Sequence, residues 1–143
     1  MMSRFVSAIT LVGALSACSV FRSTAPQRLI YEGYSTVVAT NPTVVDAVVT
    51  VRNTGAAAVQ MNSGLCVLHL EAYTNAAREG TPAWGSGMPA CLALGLVTVE
   101  PGNTYDFKTR GTLPASLSPG VYYLALVGAR GQDRIPVGRV TLP

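Results

Sequence analysis

An all-β domain, folded as an immunoglobulin-like antiparallel sandwich of about seven strands, is what three features of this 143-residue sequence predict. Apolar residues recur with period two rather than 3.6. Turn residues punctuate the chain about every 8–12 positions, the spacing of short strands in a sandwich. Val, Thr, Gly and Pro are abundant, and hardly any stretch carries a helical apolar stripe. A closed barrel is the alternative arrangement of the same strands.

Thr36–Ala39 is predicted as the first strand, with a short one over Arg28–Tyr34 ahead of it, and Asn41-Pro42 breaks the pattern. Val44–Asn53 alternates most cleanly. Val45, Ala47, Val49 and Val51 share one face, while Asp46, Thr50 and Arg52 share the other with Val44 and Val48. Asn53-Thr54-Gly55 is a turn signal. Val59–Met61 forms a short pairing segment. Leu65–Tyr73 places Cys66, Leu68, Leu70 and Ala72 on one face and His69 with Glu71 on the other. An irregular stretch, Thr74–Ala90, follows. Cys91–Val99 is a strand that stops at the turn Glu100-Pro101-Gly102-Asn103. In Thr104–Thr112, Tyr105, Phe107 and Thr109 face inward, and Asp106, Lys108 and Arg110 outward. Leu113–Pro119 connects to an apolar central strand, Val121–Ala129. After the turn Gly131-Gln132-Asp133, Ile135–Leu142 closes the domain.

The first residues have a different logic. One positive charge, Arg4, precedes an apolar run from Phe5 to Ala14, the order of an export signal. The run is too short for a bilayer span, which needs about 20 apolar residues. It ends in Leu15-Ser16-Ala17-Cys18, which resembles the lipobox of bacterial lipoproteins. The resemblance implies that residues 1–17 are removed and that Cys18 becomes the first, lipid-bearing residue. Residues 18–27 then form a tether of at most about 30 Å, and residues 28–143 form the domain. A lipoprotein of this kind carries more than one acyl chain, which gives stable attachment where one chain gives only reversible binding. The implied location is the bacterial envelope, on the periplasmic or outer-membrane side.

Removing Cys18 from the three cysteines leaves Cys66 and Cys91 as a pair in an exported chain, which predicts a disulfide. Closing a loop of about 25 residues would contribute roughly 3–4 kcal/mol. Ten basic against seven acidic residues, scattered along the chain, form no stripe of the kind nucleic acid requires. The lone histidine, His69, has Glu71 two residues away on the same strand face. The pair is expected to face solvent, and neither a triad nor a zinc ligand set surrounds it. No phosphate-binding glycine loop occurs. No cofactor or metal, and no catalytic residue, is expected.

Leu117-Ser118-Pro119-Gly120-Val121-Tyr122 resembles the entry to strand F of an immunoglobulin-like sandwich, where a tyrosine hydroxyl bonds back to the connecting loop. With Val99-Glu100-Pro101-Gly102-Asn103-Thr104-Tyr105-Asp106-Phe107, it looks like the C-terminal half of the intracellular-proteinase-inhibitor-like family of bacterial immunoglobulin-like domains. That resemblance implies the sandwich, a tyrosine corner at Tyr122, and proteinase inhibition as one activity. The export signal departs from a family named for intracellular action. The stretch from Asn75 to Ala90 holds the only tryptophan, Trp84, with Met88 four residues on. Trp is enriched at interface hot spots and Met adapts to irregular partners. Trp84 and Met88, with Arg78 and Glu79 as a polar rim, are therefore the candidate contacts for a protein partner. The expected function is a non-catalytic, membrane-anchored binding or scaffolding subunit of an envelope complex. A proteinase inhibitor and a carbohydrate- or ligand-binding module are the alternatives.

Overall fold

The structure, a computed structural model, describes residues 28–62, 68–87, 95–128 and 134–143. The predicted signal segment, Cys18, the tether, Cys66, Met88, Cys91 and the turn at Gly131-Gln132-Asp133 lie outside the described residues. Nine strands are present among the described residues: β1 (Leu29–Thr40), β2 (Thr43–Asn53), β3 (Val59–Asn62), β4 (Leu68–Tyr73), β5 (Trp84–Gly85), β6 (Leu96–Val99), β7 (Thr104–Leu113), β8 (Gly120–Gly128) and β9 (Arg134–Leu142). All pairings are antiparallel. One sheet runs β1-β2-β7 and the opposing sheet β5-β4-β8-β9, with β3-β6 as a separate two-stranded ribbon. Apart from the ribbon, this is the A-B-E against C′-C-F-G order of an immunoglobulin-like sandwich.

The core forms where the predicted alternations meet. Val45, Ala47, Val49 and Val51 from β2 pack with Leu70 and Ala72 from β4, Leu124 and Leu126 from β8, and Val137 and Val140 from β9. Three segments depart from the sequence reading. The two segments predicted as Arg28–Tyr34 and Thr36–Ala39 form one continuous strand through Ser35, and Gly33 lets it pass close to β9. A Cβ at Gly33 would stand 2.6 Å from Val137 Cγ1 and 2.7 Å from the Pro136 carbonyl oxygen. Leu113 belongs to β7 rather than to a connection, since it pairs with Thr43 and is buried in the core. The stretch after Tyr73 contains the short strand β5, on the edge of β4.

On the outer face of β2, Val48 is buried although it points away from the core. Its cross-strand neighbours, Tyr34 and Lys108, flank it on both sides. Such pairs are the unit of sheet stabilisation. The next row holds Arg110 opposite Asp46, joined by a fork of 2.5 and 2.8 Å that keeps the Asp46 carboxyl below its usual range.

Asn53 closes the end of β2 near the start of β1 and is fully buried. Its Nδ2 donates to the carbonyls of Ala57 and Val99, both at 2.8 Å, and its Oδ1 accepts from the Gly55 N–H at 2.9 Å. Its backbone N–H donates to the Asn103 carbonyl, and its own carbonyl accepts from the Gly102 N–H. One residue thus joins two turns to the ribbon.

Candidate functional site

The segment from Thr74 to Gly87 is built from local hydrogen bonds. Asn75 closes a short loop, its Nδ2 donating to the Glu79 carbonyl at 2.9 Å and its Oδ1 accepting from the Glu79 N–H at 3.0 Å. Arg78 has a left-handed backbone (φ 58°), and its guanidinium lies over the Tyr123 ring, 5.8 Å from the centroid. Its Nε donates to the Leu124 carbonyl at 2.9 Å and its Nη2 to the Gly138 carbonyl at 3.2 Å. Those carbonyls sit at the register shift between β8 and β9. Arg78 therefore ties the loop to the fold instead of standing at a rim. The Glu79 backbone belongs to the same loop, and its side chain is exposed.

Trp84 is half-buried and packs against the core. The ring occupies space left by Gly111 on β7, where a Cβ would come within 2.9 Å of Trp84 Cη2 and 2.8 Å of Leu70 Cδ2. The Ser86 N–H donates to the Leu70 carbonyl at 2.8 Å, and Ser86 Oγ accepts from the Leu70 N–H at 3.0 Å. The structure thus brings Trp84 to the sandwich edge and Arg78 to the bulge, as separate structural devices. Met88, Cys66 and Cys91 lie outside the described residues. At the start of β8, the Tyr122 hydroxyl donates to the Ser118 carbonyl at 2.8 Å. This is the geometry of a tyrosine corner.

A second constellation lies on the outer face of β4, where a solvent-facing pair was expected. His69 and Glu71 are joined at 2.9 Å, with both side chains only 15% exposed. The Tyr73 hydroxyl donates to the other Glu71 oxygen and accepts from Arg134 Nε at 2.8 Å. Arg134 also lies 5.5 Å from the centroid of the Tyr73 ring. Tyr73 clusters with the apolar floor of Ala125 and Val127. Burial, reinforced by the Glu71 carboxylate, holds the Tyr73 phenol above its usual range, while the bond from Arg134 pulls the other way. His69 Nδ1 is buried and has no hydrogen-bond partner among the described residues. The pairing of His69 with Glu71 was readable from their spacing. The link from Glu71 through the Tyr73 hydroxyl to Arg134 on β9 was not. Among the described residues no three His, Cys, Asp or Glu side chains are grouped to hold a metal ion.

Arg134 also borders a cleft of about 560 Å³ between the two sheets, at the end where β1 begins. Its walls are apolar: Val49, Val51, Met61, Leu68, Phe107 and Ile135, with Tyr31 as the other polar side chain of the lining. Ile30 and Tyr31, at the start of β1, are 41% and 44% exposed.

No known family profile matches the chain, and no curated protein matches it. Among solved structures, it is similar to a β-glucosidase involved in saponin metabolism from intestinal bacteria, at 17% identity and a TM-score of 0.45. It is also similar to a β-glucosidase from Erythrobacter marinus, at 21% identity and a TM-score of 0.48. Each alignment covers 82% of this chain but only 16% of the other. Among the described residues no helix is long and apolar enough to cross a membrane.

Proposed function

We propose that this chain is a lipid-anchored envelope protein whose sandwich domain acts without catalysis, by binding or scaffolding a protein partner in a membrane complex. The observation that carries the reading is Leu15-Ser16-Ala17-Cys18 at the end of an export-type apolar segment, about ten residues ahead of the domain. The tether is short, so the end of the domain bearing the start of β1 stays near the membrane. Supporting this, the loop from Thr74 to Gly87 is pre-ordered by Asn75, Arg78 and Trp84 at the opposite end of β4. A pre-ordered loop loses little conformational freedom on binding.

The test is membrane fractionation of the full chain and of its Cys18→Ala variant, with chemical cross-linking before extraction. The reading expects the native chain in the membrane fraction, cross-linked in stoichiometric amount to one envelope protein through peptides of residues 74–87. It expects the variant in the soluble fraction. A variant that stays in membranes refutes the anchor, and a native chain recovered only as an uncross-linked monomer refutes the scaffolding role.

A further inference from the structure

We propose that the β1 margin of the sandwich is a second membrane contact, on which the domain lies against an anionic bilayer surface. The inference deepens the lipid-anchored reading and rests on it. Of the seven large apolar or aromatic side chains exposed among the described residues, five belong to β1: Ile30, Tyr31, Tyr34, Val37 and Val38. Single exposed apolar residues are ordinary, but their concentration on one strand marks a contact surface. Tyr31 and Val37 stand opposite the core residues Val51 and Val45, yet they are 44% and 42% exposed. They emerge because β1 is the outermost strand of its sheet. Ile30 and Tyr34 stand opposite Arg52 and Val48 on the outer face, and Val38 falls at the register shift. The strand therefore offers apolar groups on both sides of its margin.

Position, edge and charge together choose the occupant. The chain enters β1 directly from the segment that follows Cys18, so the anchor brings this strand to the bilayer before any other. Tethering raises the effective concentration enough to populate a weak surface contact. β9 closes the edge of the strand: a Cβ at Gly33 would stand 2.7 Å from the Pro136 carbonyl oxygen, and one at Gly138 3.0 Å from Ser35 Oγ. A further strand from a second copy or an extended peptide has no room beside the middle of β1, whereas a lipid surface needs no backbone pairing. Arg28 ahead of β1, Arg52 opposite Ile30 and Arg139 on β9 are exposed and make no ion pair among the described residues. Glu32 is the one acid on β1 or β9. Arg134, held over Tyr73 on the outer face of the other sheet, takes no part. Two copies meeting margin to margin would bring these arginines together. Tyrosine and aliphatic side chains rimmed by arginine instead match the apolar boundary and phosphate groups of anionic lipid.

For the test, the full chain is extracted and reconstituted through its own anchor into vesicles with brominated acyl chains, of phosphatidylcholine alone or with phosphatidylglycerol. In the phosphatidylglycerol vesicles, Tyr34→Trp should add quenched fluorescence to the signal of Trp84. Thr112→Trp, exposed two strands away on β7, should add only unquenched fluorescence. Omitting phosphatidylglycerol should lower the ratio of docked to undocked chains. Arg28→Gln and Arg139→Gln, introduced with Tyr34→Trp, should each lower it about fivefold, the equivalent of about 1 kcal/mol per arginine at an anionic surface. Each variant should keep the melting temperature of the parent, since every substituted side chain is exposed.

An unquenched Tyr34→Trp overturns the proposal, as does equal quenching at both positions or indifference to phosphatidylglycerol. Cross-links from β1 peptides to a second copy or to an acidic envelope protein, in place of quenching by lipid, overturn it as well. The mass of the Cys18 peptide separates the two claims. An unlipidated Cys18 overturns the anchor and the docking with it, whereas a lipidated chain with an unquenched Tyr34→Trp overturns the docking alone.

Discussion

Asn53→Ala removes the side chain that joins two turns to the β3-β6 ribbon. Three hydrogen bonds are lost, from Nδ2 to the Ala57 and Val99 carbonyls and from the Gly55 N–H to Oδ1. At about 1 kcal/mol net for each bond, the expected loss is about 3 kcal/mol. The bond to Val99 is fully buried, so the orphaned carbonyl there pushes the value up rather than down. For a domain of this size the loss corresponds to a fall in Tm of roughly 12 °C. Asn53→Asp sharpens the test. It keeps the acceptor for Gly55 but turns a second oxygen towards two carbonyl oxygens at a fully buried position. Burial and the facing carbonyls must raise the new carboxyl above the usual Asp value of about 3.9. An acid whose folded pKa is raised binds more protons folded than unfolded. The variant therefore holds its best stability below about pH 4 and loses it as pH rises through the folded value. Denaturant melts of both variants at pH 4 and pH 7 supply the assay. A loss below about 1 kcal/mol for Asn53→Ala, or an Asn53→Asp variant as stable at pH 7 as at pH 4, would refute the clamp.

Other substitutions test other joints. Tyr122→Phe deletes the bond to the Ser118 carbonyl and should cost about 1 kcal/mol, read as a shift in denaturant midpoint with unchanged slope. Tyr73 should confer alkaline sensitivity: its raised pKa means that stability falls as pH climbs above the ordinary tyrosine value of 10.0. Tyr73→Phe should flatten the melting profile in that range; an unchanged profile would assign the sensitivity elsewhere. Gly33→Ala places a Cβ 2.7 Å from the Pro136 carbonyl oxygen, so β1 and β9 must separate. A cost of about 1–3 kcal/mol is expected from overpacking, and a melting curve that does not move would contradict the close approach.

The sandwich was legible because one face of each main strand is buried. In β2 the set Val45, Ala47, Val49 and Val51 could belong only to a strand facing a core, and β7 repeated the rule with Tyr105 and Phe107. Legibility failed where the deciding partner is distant in the chain. Ser35 fell between two predicted segments, Arg28–Tyr34 and Thr36–Ala39, yet the strand runs on, and small residues are required there because β9 passes beneath. Trp84 lay in a stretch without periodicity, and its seat depends on Gly111, a residue with no side chain to signal it. Asn53 was readable as part of a turn, but its clamp requires the Val99 carbonyl at the end of β6. Likewise, the spacing of His69 and Glu71 indicated a shared face, while the chain of bonds from Glu71 through Tyr73 to Arg134 depends on β9. Arg78 suggested a polar rim because its real acceptors, two backbone carbonyls at a register shift, leave no trace in side-chain identity.

On the proposed function, the chain works while attached to a membrane by its own cysteine. The intact mass of the mature protein, extracted from envelopes and fragmented at its N-terminus, decides whether it does. The expected species is a chain beginning at Cys18 and carrying a diacylglyceryl group, with or without a further acyl chain on its amino group. A mature chain beginning after Cys18, or an unmodified Cys18 thiol, would contradict it.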